Sequence, residues 1–290
     1  MDAGLSRMQL RLLIQRGKLV QLRYGVYASA RIVIAAERDP RLKPALQAAA
    51  VMLVTTTPGV VVASQETAAL IHGLDLLNKP PNGLVSLTRP PGHRSGHKHQ
   101  TRFRTAALFA GDVTNRFGVP VTTPARTVVD LGRTVPFMDA VVVADCALRS
   151  RMTTKDELRA VLGRCAGWPG ADKARQVVEF SDGRSESVLE SCARVVFDRH
   201  GIEPPELQVL LETAGGLYRV DFYWRKYLTV AEADGLVKYE NPKKAINQLK
   251  RDQQLRETGR RVVHFTWQQL FSEQLTVISW IERAFRGEIG

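Results

Sequence analysis

From Ser6 onward the spacing of apolar positions switches between a helical and a strand period, and the switches predict the elements. Ser6, Arg7, Met8 and Gln9 have the spacing of a capping box, with Ser6 at the N-cap and Gln9 three residues into the helix. Leu10, Leu13 and Ile14 follow at helical spacing, and Gly17 is placed to end the helix. Val20, Leu22 and Val26 then alternate with Gln21 and Arg23, a strand period, with Gly25 supplying the turn of a hairpin. An Ala-rich helix over residues 45–53, a strand over 59–63 and a short helix over 67–72, stopped by Gly73, come next. Residues 84–88 read as a strand bounded by Pro80-Pro81 and Pro90-Pro91, and residues 89–104 as a basic loop carrying Gly and Pro. Thr123 at an N-cap with Pro124 at the first helical position marks a further helix start of structural character. Residues 137–149 and 155–161 read as helices, and residues 167–182 hold a linker and a helix.

The last third has its own order. A helix over 187–200, ended by Gly201, leads to strand-like runs at 207–212, 218–223 and 228–233. A long polar helix over 242–258 and a final strand over 261–265 follow. Helix, three strands, helix, strand is the order of a mixed sheet flanked by helices.

Composition narrows the class. A chain of 290 residues, 44% hydrophobic and 24% charged, is expected to be globular, with two or three domains. Its longest apolar run, 48–54, falls far short of the roughly 20 residues of a membrane span. The first residues lack the basic start and apolar core of a secretory signal. Cys146, Cys165 and Cys192 stand far apart, without the paired spacing of a zinc site; they suit buried thiols in a reducing cytoplasm. The net charge of +12 and pI near 10.0 point to a polyanionic partner, nucleic acid ahead of an acidic membrane because no lipidation signal is present. A generally basic surface without a specific ligand is the plain alternative. His72 reads as a packing or capping residue, and His93, His97 and His99, with no acid or cysteine near them, as part of the basic loop that could touch phosphates.

The positions that bear on chemistry are Asp221, Glu232 and Asp234. Asp221 is flanked by the strand formers of 218–223, and Glu232 and Asp234 end the next strand, where alternation puts them on one face. A tight turn over 224–227 lets Asp221 approach Glu232 across the pair. Carboxylates in otherwise apolar strands are costly unless paired or metal-bound, and carboxylate oxygens suit Mg²⁺ or Mn²⁺ facing a phosphate. Solvent-facing places on amphipathic strands are the alternative.

Glu190 in Ser187-x-x-Glu190-Ser191, Gln208-Val209, Val220-Asp221-Phe222-Tyr223, Glu232-x-Asp234-Gly235 with Lys238-Tyr239, then Arg251-Asp252, Gly259, Val262-Val263 and Phe265 recur in one order. Over 80 to 100 residues this resembles the very-short-patch-repair-endonuclease-like branch of the PD-(D/E)XK superfamily. The resemblance implies a restriction-endonuclease-like fold in which Asp221 and Glu232 bind the metal and Glu190 assists it or its water. The superfamily's usual lysine, two positions after the second acid, is here Asp234. The general base is therefore unassigned; Lys238 could supply the missing positive charge, or be an exposed lysine after a turn. Lys243, Lys244, Lys250 and Arg251 on the long helix, with Arg256, Arg260 and Arg261, are either phosphate contacts or a solvated face.

A second resemblance covers most of residues 4–160. Gly4-Leu5-Ser6, Gln9-Leu10, Leu13, Arg16-Gly17 and Leu22-Arg23-Tyr24-Gly25-Val26-Tyr27 are similar to the winged-helix segment of AbiEi-type abortive-infection antitoxins. Ser64-x-x-Thr67-Ala68-Ala69-x-x-His72-Gly73-Leu74 and 121–131, Val-Thr-Thr-Pro-Ala-Arg-Thr-Val-Val-Asp-Leu, continue the match. It implies a DNA-binding helix exposing Arg7, Arg11 and Gln15, with Lys18 beside it and a wing at Arg23 and Tyr24. The family usually has at least one helix before this one, so the winged helix is expected to be partial; a packed structural subdomain is the alternative.

The expected fold is α+β and α/β: a partial winged helix at 1–30, a mixed α/β middle domain at 31–180 and a restriction-endonuclease-like mixed sheet at 184–290. Two functions follow. The first is a cytoplasmic DNA-binding protein with a Mg²⁺- or Mn²⁺-dependent endonuclease or nickase domain, RNA being open as a substrate. The other is a non-enzymatic antitoxin that represses its own promoter and neutralises a nucleotidyltransferase toxin.

Overall fold

The computed structural model describes residues 4–55, 61–98, 100–235 and 242–289. The protein is mixed α/β, and the chain divides into two compact units, Met1–Ser181 and Asp182–Gly290.

In the first unit, α1 (Arg7–Gln15) carries the complete capping box at its N-terminus, with Gln9 N–H bonded to Ser6 Oγ and Ser6 N–H to Gln9 Oε1. Strands β1 (Leu19–Arg23) and β2 (Val26–Ser29) form an antiparallel hairpin about Gly25, whose φ of 76° is a conformation glycine adopts without steric cost. Two helices, α2 (Ala30–Arg38) and α3 (Leu42–Leu53), lead into the larger sheet; α2, capped by Ser29, was not expected from spacing. Then come β3 (Val62–Ala63), α4 (Gln65–His72), β4 (Val85–Arg89), β5 (Gly96–Lys98), β6 (Thr101–Thr105), β7 (Val113–Arg116) and β8 (Val119–Thr122). The sheet order is β5-β6-β4-β3-β8-β7, with β4–β6 and β3–β8 parallel and the other pairs antiparallel. Its core joins Ala45, Ala48 and Val51 of α3 and Ile71 of α4 to Val85, Leu87, Phe103 and Val121. The expected strand over 59–63 is described only at Val62–Ala63.

The expectation of a loop over 89–104 is corrected here. The basic stretch forms the hairpin β5–β6, whose inner strand pairs in parallel with β4. The apolar β4 supplies a template of backbone groups, so a segment with one large apolar side chain, Phe103, completes the ladder. Four helices close the unit: α5 (Pro124–Gly132), α6 (Phe137–Arg149), α7 (Lys155–Arg164) and α8 (Ala171–Phe180). As the sequence predicts, Thr123 caps α5, with Pro124 beginning it, and Gly73 ends α4 at φ 78°. His72 is buried and its Nε2 lies 2.7 Å from Thr122 O, a packing role; burial lowers its pKa.

The second unit begins with α9 (Val188–Arg199), then β9 (Glu206–Thr213), β10 (Gly216–Trp224), a single 3₁₀ turn (Arg225–Tyr227) and β11 (Thr229–Asp234). It continues with α10 (Pro242–Glu257), β12 (Arg261–Thr266), α11 (Trp267–Ser272) and α12 (Gln274–Phe285). The sheet order is β12-β11-β10-β9; β11 and β12 are parallel and the other pairs antiparallel, the mixed sheet expected from the element order. On one face Leu255 of α10 packs with Val220, Tyr223, Val230 and Val262. On the other, Phe197 of α9 meets Phe222, Trp224 and Phe265, and Phe285 of α12 meets Trp224 and Tyr227. The described helices include none long and apolar enough to cross a membrane.

Candidate functional site

Two groups of residues singled out by sequence lie in different units. In the first unit, α1 buries none of its residues, and Arg7, Arg11 and Gln15, four residues apart, are exposed along it. Lys18 is exposed after the helix and Tyr24 is 95% exposed at the hairpin tip. Arg23 departs from the expected wing contact: it is half-buried and its Nη1 donates to Thr101 Oγ1 at 3.2 Å, tying the hairpin to β6.

In the second unit, pairing brings the acids together. Phe222 is paired with Ala231 in the antiparallel ladder, so one step further puts Asp221 opposite Glu232. Glu190, in the first turn of α9, completes a cleft of about 350 Å³ whose lining includes all three acids, Gln208, Arg219 and Arg251. Gln208 has φ 55°, and the β9–β10 ladder steps over it, pairing Val209 with Val220 and Leu207 with Phe222. Held in that sparsely populated conformation, its amide donates to Glu190 Oε2 at 2.9 Å and to Asp221 Oδ1 at 3.2 Å. Asp221 Oδ2 also accepts from Ala233 N at 2.9 Å, and Glu190 Oε2 from Glu186 N at 2.8 Å. Burial raises the pKa of Glu190, and the negative charge of Asp221 adds to the effect.

Arg251 was expected either to contact phosphate or to lie on a solvated face of α10. Instead its Nη2 donates to Glu232 Oε1 at 2.6 Å and to Arg219 O at 2.5 Å, so this cation closes the cleft rather than facing solvent. Lys250 is exposed on the same helix; Lys243 and Lys244 fall on α10, but their side chains lie outside the described residues, as does Lys238 entirely.

Asp234 is directed elsewhere. Its Oδ2 lies 3.0 Å from Nδ1 of His264 on β12, while Nε2 of the same ring lies 2.8 Å from Oδ2 of Asp252 on α10. Burial disfavours the imidazolium, but hydrogen bonds to the two carboxylates outweigh it and raise the His264 pKa to about 9. With both nitrogens facing acceptors, only the doubly protonated ring satisfies both. Sequence reasoning missed His264, because a lone histidine inside an apolar strand carries no spacing signal.

The donor chemistry of Glu190, Asp221 and Glu232 suits a hard divalent cation, but the arrangement does not fit one as it stands. Gln208 and Arg251 hydrogen-bond one oxygen of each carboxylate, Glu190 Oε2, Asp221 Oδ1 and Glu232 Oε1, and among the described residues no three His, Cys, Asp or Glu side chains are grouped to hold an ion. Glu190, Asp221 and Glu232 line one cleft, whereas Asp234 is hydrogen-bonded to His264.

A third assembly holds the first unit together. Arg126 of α5 is fully buried; its Nε donates to Asp130 at 2.9 Å, its Nη1 to Ala107 O at 3.0 Å and to Asp112. Arg164 reaches Asp112 at 2.7 Å, Arg133 reaches Asp130 at 3.3 Å, and the Trp168 ring lies 5.0 Å from the Arg126 guanidinium.

Residues 60–180, the larger part of the first unit, match the family described as AbiEi antitoxin C-terminal domain. The chain belongs to one family with two Mycobacterium tuberculosis proteins, uncharacterized protein MT2308 of strain CDC 1551 / Oshkosh and uncharacterized protein Rv2248 of strain ATCC 25618 / H37Rv. It is 30% identical to each over 260 residues, which cover 89% of this chain and 89% of theirs. No solved structure matches the chain significantly.

Proposed function

We propose that the protein is a DNA-binding regulator of the antitoxin type. Its N-terminal helix and hairpin would contact the duplex, and its AbiEi-type domain would meet a protein partner, a toxin of the nucleotidyltransferase class. The observation that carries the reading is the match of residues 60–180 to an antitoxin domain. The exposed cations Arg7, Arg11 and Lys18 beside that domain support it, as does the net charge of +12, because cations on an exposed helix can serve base edges and phosphates alike. The test is a gel shift in chelator with DNA from upstream of the protein's own gene and with scrambled DNA of equal length. The expected result is preference for the upstream DNA, weakened roughly tenfold or more in the Arg7→Ala/Arg11→Ala double variant. Binding that is indifferent to sequence and unaffected by the double variant overturns the reading.

One observation favours a second reading, a metal-dependent phosphodiesterase: Asp221 and Glu232 come into cross-strand register beside Glu190. It requires Arg251 and Gln208 to release the acids. Incubating the protein with plasmid DNA, and separately with RNA, in Mg²⁺, Mn²⁺ and chelator decides between the two. The antitoxin reading expects no cleavage in any condition. Metal-dependent nicking that disappears in Asp221→Ala establishes the second reading.

A further inference from the structure

The first unit contains a cavity of about 880 Å³ that neither reading uses. It opens along β6 and is walled by Arg102 and Arg104 of that strand, Arg133 after α5, Thr134, Phe103 and Trp168. Two of its three guanidinium groups are already engaged, Arg102 with Glu66 at 3.1 Å and Arg133 with Asp130 at 3.3 Å and Pro169 O at 3.0 Å. Arg104 is different. It is half-buried, its Nε is enclosed, and among the described residues nothing accepts a hydrogen bond from that nitrogen. A buried donor without an acceptor costs about as much as a lost hydrogen bond; that nitrogen is closed to solvent, so an incoming group would meet the rest of the guanidinium, for which the described residues supply no hydrogen-bond partner either.

The surroundings indicate which group. Counting Arg102, Arg104, Arg126, Arg133 and Arg164 against Glu66, Asp112 and Asp130, the side chains in and behind the wall leave two positive charges in excess. Burial lowers the pKa of Arg104; the carboxylates of Glu66 and Asp130 oppose the shift without cancelling it, and the cations Arg102 and Arg133 add to it, so an anion would offset part of the cost. Guanidinium forks match the several oxygens of a tetrahedral oxyanion better than a point charge would. The cavity is also far larger than such an anion, and its volume is within the range of roughly 300 to 1,000 Å³ typical of small-molecule sites. The half-buried Trp168 ring gives it an apolar wall for the rest of the ligand.

We propose that this cavity binds a phosphate ester, with Arg104 the residue that grips its phosphoryl oxygens. The same chemistry is carried by a free nucleotide and by the phosphodiester backbone of nucleic acid, and the experiment separates them. The full-length protein is titrated calorimetrically with ATP, inorganic pyrophosphate, adenosine and a short DNA duplex. The expected result is heat with ATP and pyrophosphate and none with adenosine. Affinity should fall roughly tenfold or more in Arg104→Gln, as for loss of one charge-assisted hydrogen bond. Affinity for ATP and pyrophosphate should survive in the Arg7→Ala/Arg11→Ala variant, which keeps the result independent of the duplex-binding face. If only the duplex loses affinity in Arg104→Gln, the backbone is the source of the phosphate. Unchanged affinity for both ATP and duplex in Arg104→Gln overturns the proposal. Should that variant fail to fold, amide exchange in the wild-type protein decides. Slower exchange over residues 101–105 with ATP or duplex supports the site, and protection confined to other regions removes it.

Discussion

At the scale of single residues, the buried histidine of the second unit is the group most sensitive to conditions. A free histidine titrates near 6.5, whereas His264, held between Asp234 and Asp252, titrates at about 9. A folded-state pKa raised above the unfolded value means that the protonated ring stabilises the fold. That contribution is complete below about 6.5 and is lost as the pH rises through about 9. At about 1.4 kcal/mol for each tenfold change in proton affinity, it amounts to no more than about 3.5 kcal/mol. Urea unfolding of the second unit at pH 6, 7.5 and 9 should therefore show stability declining across that window, and the decline should be much smaller in His264→Gln. A flat profile in the wild-type protein would contradict the doubly bonded imidazolium. Arg251 is read at the same scale: a cation expected to meet phosphate faces a carboxylate at 2.6 Å. Its position five residues after the exposed Ile246 and two after the exposed Leu249 gave no sign of this, because helical spacing says which residues share a face and not what that face meets.

At the scale of elements, α5 shows how a short run can organise its neighbours. Its sequence has the marks of a helix start at Thr123 and Pro124, and the i, i+4 spacing of Arg126 and Asp130 makes one ion pair local. The second partner, Asp112, comes from the turn before β7, and Arg164 of α7 reaches the same carboxylate. Removing one member of a buried pair leaves the other charge uncompensated, so Arg126→Leu should destabilise the first unit by about 3 to 5 kcal/mol. Urea denaturation followed by circular dichroism measures it; a loss below about 1 kcal/mol would mean that Asp112 and Asp130 are satisfied without this arginine. Among the other elements, those of the second unit up to β12 were legible because each apolar run is bounded by a glycine or a polar turn. The hairpin β5–β6 was not. It owes its strands to the backbone of β4 rather than to an apolar alternation of its own, and its arginines and glycines read locally as a loop.

At the scale of the molecule, the charge balance makes a prediction independent of any one contact. A chain with a net charge of +12 that bound duplex DNA through arginine and lysine, as proposed, would release counterions. Its affinity should fall steeply as salt is raised, with a log–log slope of about −0.9 for each phosphate neutralised. Gel shifts between 50 and 200 mM salt, roughly the span over which such losses are large, measure the slope. Arg7→Ala/Arg11→Ala should make it shallower; an affinity independent of salt would exclude phosphate contacts as the basis of binding.

The sequence by itself determined the periods, the caps and the order of elements, because these depend on which side chains recur within a few residues. It also placed three acids where neighbouring strands could unite them, since a tight turn between strands sets register locally. Tertiary structure alone decided what those acids face. Gln208 ties Asp221 to Glu190 of α9, Arg251 holds Glu232, and His264 draws Asp234 away, through partners 13 to 30 residues distant along the chain. It alone formed the cavity around Arg104 as well, because its walls come from β6, the end of α5 and the turn at Trp168. Such partners are chosen by the packing of whole elements, whose outcome is not written in the spacing of any one of them.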